Sequence, residues 1–270
     1  MKKYSLLIAL LLPLVIFGQQ ESYYSLYRYN MNVINPAYAG AEAANMLSLT
    51  SRRQWASMED APSTVAMSFS SARENNVGLG ISIVSDNVFI EQQTFAYLDF
   101  SYKLDMGESQ LYLGLKAGGN FYKADPSLLS SYTSGDPTQV ALSSFNPNIG
   151  AGAYYSASSF WVSFSIPRLF NSKRDVDLVV TAKDRVHSYV GGGAYIGIVN
   201  GLILKPSLML RKVKGLPLTT DLTGMVSWQD SFDIGVSLRS NSSISLLSVI
   251  SLGIFDIGYA YETPTDGGLS

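Results

Sequence analysis

Segments in which large apolar residues recur at every second position, mostly about nine to twelve residues at a time, constrain this chain more than any other feature. Val77, Leu79, Ile81 and Ile83 interleave with Gly78, Gly80, Ser82 and Val84. Leu111, Leu113 and Leu115 alternate with Tyr112, Gly114 and Lys116, and Phe160, Val162, Phe164 and Ile166 with Trp161, Ser163 and Ser165. Successive side chains of a β-strand point to opposite faces, so each segment has one apolar face and one small or polar face. Thirteen such segments can be placed between Asn45 and Glu262, and helical periodicity is hard to find after Gly40.

Their length matches a tilted membrane strand. Connections after even-numbered segments are tight: Arg73 to Asn75, Ala157 to Ser159, Asn200-Gly201 and Gln229 to Ser231. Several after odd-numbered segments are long, notably Lys123 to Pro147 and Arg168 to Asp184. Outer-membrane barrels show this asymmetry, with short periplasmic turns and long external loops. Asn200-Gly201 suits a type I′ hairpin, whose central residues need positive φ.

Charges follow the same parity. Asp99, Lys103, Lys116, His187, Lys205, Arg211, Asp221, Asp233 and Asp256 all alternate with the large apolar residues of their segments. A secreted sandwich would also turn its charges away from the apolar face, so parity alone does not discriminate. Segment length, loop asymmetry and an export signal together favour a membrane barrel over a sandwich or propeller. The signal is Lys2-Lys3 followed by the apolar run Leu6 to Phe17 and then Gly18-Gln19. Twelve helical residues rise only about 18 Å, short of the roughly 30 Å hydrocarbon layer, so a cleaved secretory peptide is expected, cut near Gly18/Gln19.

Composition removes several classes of chemistry. With no Cys and one His, the chain can build no disulfide framework, thiolate zinc site or multi-histidine metal site. A balance of 19 basic and 21 acidic residues excludes a polybasic nucleic-acid binder. His187 lies within a strand without a catalytic motif, and Gly191-Gly192-Gly193 lies within a strand instead of between strand and helix, so neither signals a reaction or a phosphate cradle. Close packing or bending of the wall accounts better for those glycines.

Particular motifs then resemble a known family. The chain opens with Tyr23-Tyr24-Ser25-Leu26-Tyr27-Arg28-Tyr29-Asn30 and Asn35-Pro36-Ala37-Tyr38-Ala39-Gly40, followed by Arg52-Arg53-Gln54-Trp55 and Ala61-Pro62-Ser63-Thr64. Pro147-Asn148-Ile149-Gly150, Leu204-Lys205-Pro206-Ser207 and Ile257-Gly258-Tyr259-Ala260-Tyr261 follow in order. This series resembles the PorP/SprF family of Bacteroidota outer-membrane proteins over nearly the whole mature chain. Each motif has its own physical sense. Asn35-Pro36 disfavours helix at Asn35 and Gly40 permits a turn. Arg52, Arg53 and Trp55 suit anchoring at a membrane interface. Pro206 cannot donate to a ladder, which predicts a bulge or open ladder beside it.

The resemblance implies an all-β, transmembrane antiparallel outer-membrane barrel of about fourteen strands, thirteen of them readable here. The parts expected are residues 1–18 as signal peptide, 19–44 as a periplasmic N-terminal segment and 45–270 as barrel. Family members usually continue through one more strand, so either a closing strand is missing or the strand count is off by one. The resemblance also implies a non-enzymatic role in type IX secretion or gliding, supporting secretion or surface anchoring of an adhesin with a type B C-terminal domain. The implied partners are that adhesin, outer-membrane lipid and other secretion components, with no nucleic acid, cofactor or metal. A porin or substrate-specific channel is the alternative. Expected contact residues are Asn35, Pro36, Tyr38, Gly40, Arg53, Gln54, Trp55 and Pro62, together with Lys173, Arg174 and Asp175 in a mixed-charge loop.

Overall fold

The computed structural model describes residues 24–265 apart from 43, 56–57, 59–60, 129–140, 171–184, 200 and 241–242. Its body is one antiparallel sheet. The strands of the first half are β1 (Met46–Arg53), β2 (Ser63–Ala72), β3 (Val77–Val88), β4 (Glu91–Asp105), β5 (Ser109–Ala124), β6 (Leu142–Ala157) and β7 (Phe160–Arg168). Those of the second half are β8 (His187–Ala194), β9 (Ile196–Val199), β10 (Leu202–Val213), β11 (Thr219–Trp228), β12 (Phe232–Arg239), β13 (Ser243–Leu252) and β14 (Phe255–Pro264).

Every sequence segment is present as a strand. The fourteenth assigned strand arises because the segment expected over Arg185 to Val199 is divided into β8 and β9, both of which pair with β10. The division has a local cause. Pro206 pairs with Gly224 on one side without interruption, whereas on the other side Ser207 meets Gly193 and Leu204 meets Ile196. The ladder is therefore open beside the residue that has no N–H to donate. One long loop is shorter than the sequence suggested. Of the connection expected over Lys123 to Pro147, β6 takes the last part, beginning at Leu142, pairing Pro147 with Gly119 and packing Phe145 on Phe121 at 4.6 Å between ring centroids. β3 and β4 extend to Val88 and Glu91 around a tight connection. Pro147 marks no strand boundary because the alternation of Phe145, Asn146 and Asn148 continues through it.

The sheet curls into a barrel with its polar face inward. Leu47, Leu49, Leu98, Leu115, Leu222 and Leu246 are exposed on the outside, while Asp99, Lys116, His187, Arg211, Asp221 and Asp233 are buried. This inside-out distribution is what a hydrocarbon environment demands of a strand wall. No helix among the described residues is long and apolar enough to cross a membrane. Tight turns after even-numbered crossings carry left-handed residues, including Asn75, Asn76, Gly107, Gly201, Gln229, Asp230 and Gly253. β1 and β14 pair only with β2 and β13 respectively. Between these two edges Arg52 reaches Glu262 at 3.4 Å, and Glu262 also meets Arg239 at 3.4 Å.

The outward face generates a direct expectation. Leu113 and Val162 are 47% and 46% exposed on the apolar side. Replacing either with Arg should lower folding stability by about 2 to 4 kcal/mol near the bilayer midplane. Folding titrations in urea into lipid vesicles will show this as a reduced unfolding free energy; an unchanged value would contradict the assigned faces.

Candidate functional site

Residues 24–42 do not extend away from the barrel. They lie on the inner face of the sheet as a 3-10 turn (Tyr27–Asn30), one helical turn (Met31–Ile34) and a second 3-10 turn (Pro36–Tyr38). Asn35 ends the helical turn in extended conformation (φ −132°, ψ 114°), as a residue before proline must. Its side-chain oxygen then accepts from the Ala37 N–H at 2.9 Å, capping the turn that Pro36 opens.

The wall beneath this segment is a single register row of small residues. Gly78 pairs with Ser101, Ser101 with Gly114, Gly114 with Gly152 and Gly152 with Ser165, crossing β3 to β7. A side chain at Gly78 would collide with the Ala39 carbonyl, one at Gly114 with the Ala37 backbone and one at Gly152 with the Asn35 side chain. The two serines of the row point hydroxyls at the segment: Ser101 donates to the Ala39 carbonyl at 2.5 Å and Ser165 to the Ile34 carbonyl at 2.9 Å. Absence of side chains lets two backbones approach closely, and the hydroxyls satisfy carbonyls that the short turns leave unpaired. Gly40 leaves the row with φ +75°, close to the backbones of Gly78 and Ala72.

One ion pair fixes the segment's centre. Lys116 and Asp99 lie opposite each other on β5 and β4, 3.2 Å apart, with side chains 2% and 0% exposed. The Lys116 ammonium also donates to the carbonyls of Asn32 at 3.1 Å and Val33 at 3.0 Å and to Ser82 Oγ at 3.0 Å. Asn32 Nδ2 donates to Asp99 Oδ2 at 3.2 Å. A buried ammonium requires such replacement for its lost water, so the helical turn serves as part of its solvation shell.

A second polar anchor is Asn35, which is wholly buried. Its Nδ2 donates to Ser163 Oγ at 2.8 Å and to the carbonyls of Ala153 at 2.9 Å and Phe164 at 3.3 Å. Apolar packing fills the space between: Tyr27, Met31, Ile34 and Ala37 cluster with Tyr112, Tyr154, Trp161 and Met209. Arg28 closes this cluster. Its guanidinium donates to the hydroxyls of Tyr38 and Tyr195, each at 2.7 Å, lies 5.3 Å from the Trp161 ring and meets Glu42 at 3.6 Å. The Tyr38 hydroxyl in turn donates to Glu42. Burial pushes the phenols of Tyr27 and Tyr38 upward, keeping both as neutral hydroxyls.

The segment's first residues reach the opposite wall. Tyr27 Oη donates to Ser207 on β10 at 2.7 Å, Tyr29 Oη to Asp233 on β12 at 3.3 Å and Ser25 Oγ to Glu262 on β14 at 2.8 Å. A cavity of ≈ 2060 Å³ remains between the segment, β1 and β14. No group of three or more His, Cys, Asp or Glu side chains converges among the described residues.

The expected contact residues thus separate. Asn35, Pro36, Tyr38 and Gly40 come together inside the barrel. Arg53 ends β1, exposed beside Ser63, and the Gln54 N–H donates to the Pro62 carbonyl at 2.9 Å at the same end. Trp55 is exposed there with φ 45°. Lys173, Arg174 and Asp175 lie outside the described residues. The wall partners Asp99, Lys116, Ser101, Ser163 and Ser165 were not singled out as a site from sequence. The signal that finds them is the inward parity of a small or charged residue on each of several adjacent strands, which acquires meaning only once register is known. Gly114 and Ser163, positions at which parity alone suggests room for an inward charge, are in fact covered by the segment.

Asn35→Asp should therefore destabilise more than Asn35→Ala. The alanine leaves buried acceptors without their donor, at about 1 to 3 kcal/mol. The aspartate sets carboxylate oxygens against the carbonyls of Ala153 and Phe164. Urea titrations of the two variants test the order, and an Asn35→Asp protein as stable as wild type would contradict this role.

Comparison with known proteins agrees with the motif series. A search of curated proteins finds no match to this chain. The family model for type IX secretion system membrane protein PorP/SprF matches residues 16–270. The chain belongs to the PorP/SprF family of type IX secretion system membrane proteins.

Proposed function

We propose that this protein is a non-enzymatic outer-membrane barrel that supports secretion or surface anchoring of a cognate adhesin carrying a type B C-terminal domain. The family match over residues 16–270 is the observation that carries this reading. An apolar outer wall supports residence in a bilayer, and the Lys2-Lys3 start with cleavage near Gly18/Gln19 supports export to the outer membrane. On this reading lipid surrounds the wall and other type IX secretion components are further partners.

Recognition is assigned to the end of the barrel that carries the long connections. Those between β5 and β6 and between β7 and β8, residues 125–141 and 169–186, leave the same end as the β1 to β2 connection with Arg53, Gln54, Trp55 and Pro62. Loops on a rigid scaffold are where binding residues concentrate. The second contains Lys173, Arg174 and Asp175, whose mixed charges suit steering and register more than raw affinity.

Replacing each long connection with a short Gly/Ser linker should abolish surface display of the adhesin while the barrel stays heat-modifiable on gels. Immunolabelling of the adhesin on whole cells reads the result. Normal display by both folded variants would move recognition away from these loops.

A further inference from the structure

We infer that residues 24–42 are a fixed plug that obstructs the barrel lumen, filling it beside β3 to β7, and that the row Gly78, Ser101, Gly114, Gly152 and Ser165 with the Asp99–Lys116 pair is the built-in receptor for it. Three observations carry the inference. First, the segment crosses the interior: its later half rests on β3 to β7, and Ser25, Tyr27 and Tyr29 bond to β14, β10 and β12 on the far side. Second, wall and segment match residue by residue, with glycines where backbone approaches and hydroxyls where carbonyls arrive. Third, the plug completes a buried charge site. Withdrawing it would strip two carbonyls from Lys116 and an amide from Asp99, leaving a pair whose geometry was built around three partners.

A barrel of this strand number is wider than one its own wall side chains can fill, so something must occupy the lumen or water will. Here a short stretch of the same chain takes up the β3 to β7 side and leaves the cavity toward β1 and β14, and its Tyr27, Met31, Ile34 and Ala37 complete an apolar cluster with Tyr112, Tyr154, Trp161 and Met209 of the wall. The obstruction depends on the lumen alone and acts in the same way whatever the exported partner.

Planar-bilayer recording of the purified full-length protein tests this. The wild type should carry at most a small steady conductance, through the cavity left beside β1 and β14. Gly114→Val, whose side chain must push Pro36 and Ala37 off the wall, should raise that ohmic current several-fold in protein that remains heat-modifiable. Gly224→Val serves as the control, because a side chain added at Gly224 meets nothing within 4 Å, and it should conduct as the wild type does. Deletion of residues 24–42 is a second way to remove the plug and should raise the current likewise. A wild-type current as large as that of an unobstructed barrel of similar strand number would overturn the inference even if neither plug variant folds. Folded plug variants that conduct no more than wild type would overturn it too.

Discussion

A lysine ammonium buried in a barrel wall has to be neutralised and given hydrogen-bond acceptors, and Lys116 receives two of its acceptors from a segment that is not part of the wall. Asp99 supplies the opposite charge from the neighbouring strand, while the carbonyls of Asn32 and Val33 supply what water would otherwise provide. Much else follows from that arrangement. Carbonyls can be presented to Lys116 only if the helical turn lies close to β5, and that closeness requires Gly114 and Gly152 where larger residues would collide. The Asn35-Pro36-Ala37-Tyr38-Ala39-Gly40 motif is then explained by fit: a proline that sets the turn, alanines that pass over glycines, an asparagine that caps and anchors, and a glycine that turns the chain away.

The barrel divides labour between its two faces. Outside, leucines and phenylalanines form an exposed apolar face of the kind a hydrocarbon environment demands. Inside, buried charges and hydroxyls are committed to particular partners across strands, as in Arg239 with Asp221 at 2.6 Å and Lys205 with Asp233 at 2.8 Å. Such a cross-linked interior makes a stiff support, and stiffness is what loops need if they are to hold a protein partner in one orientation.

Strands were legible in the sequence because lipid and lumen impose opposite demands on alternate residues, and that contrast survives without knowledge of neighbours. Turns over Arg73 to Asn75 and at Gly201 were legible for a local reason as well, being fixed by backbone φ, although the left-handed stretch of the first runs one residue further, to Asn76. The open ladder opposite Pro206 followed from one missing N–H. What could not be read was anything set by register. Gly78, Ser101, Gly114, Gly152 and Ser165 are scattered along 88 positions of the numbering and become a row only when five strands are aligned. The location of residues 24–42 failed to emerge for a related reason: short turns with no periodicity give no sign of what they pack against. Tyr38, expected as a contact residue, has its ring against Tyr154 of the wall at 5.1 Å between centroids.

Chemical protection of the segment is the most direct test of this account. The chain contains no cysteine, so a single introduced thiol reports one site. Met31 is 0% exposed within the lumen cluster, whereas Met58 is 57% exposed in the β1 to β2 connection. In folded barrels Met31→Cys should resist a water-soluble maleimide and react only after denaturation, while Met58→Cys reacts at once. Labelling of Met31→Cys as fast as Met58→Cys in folded protein would show that the segment does not occupy the barrel.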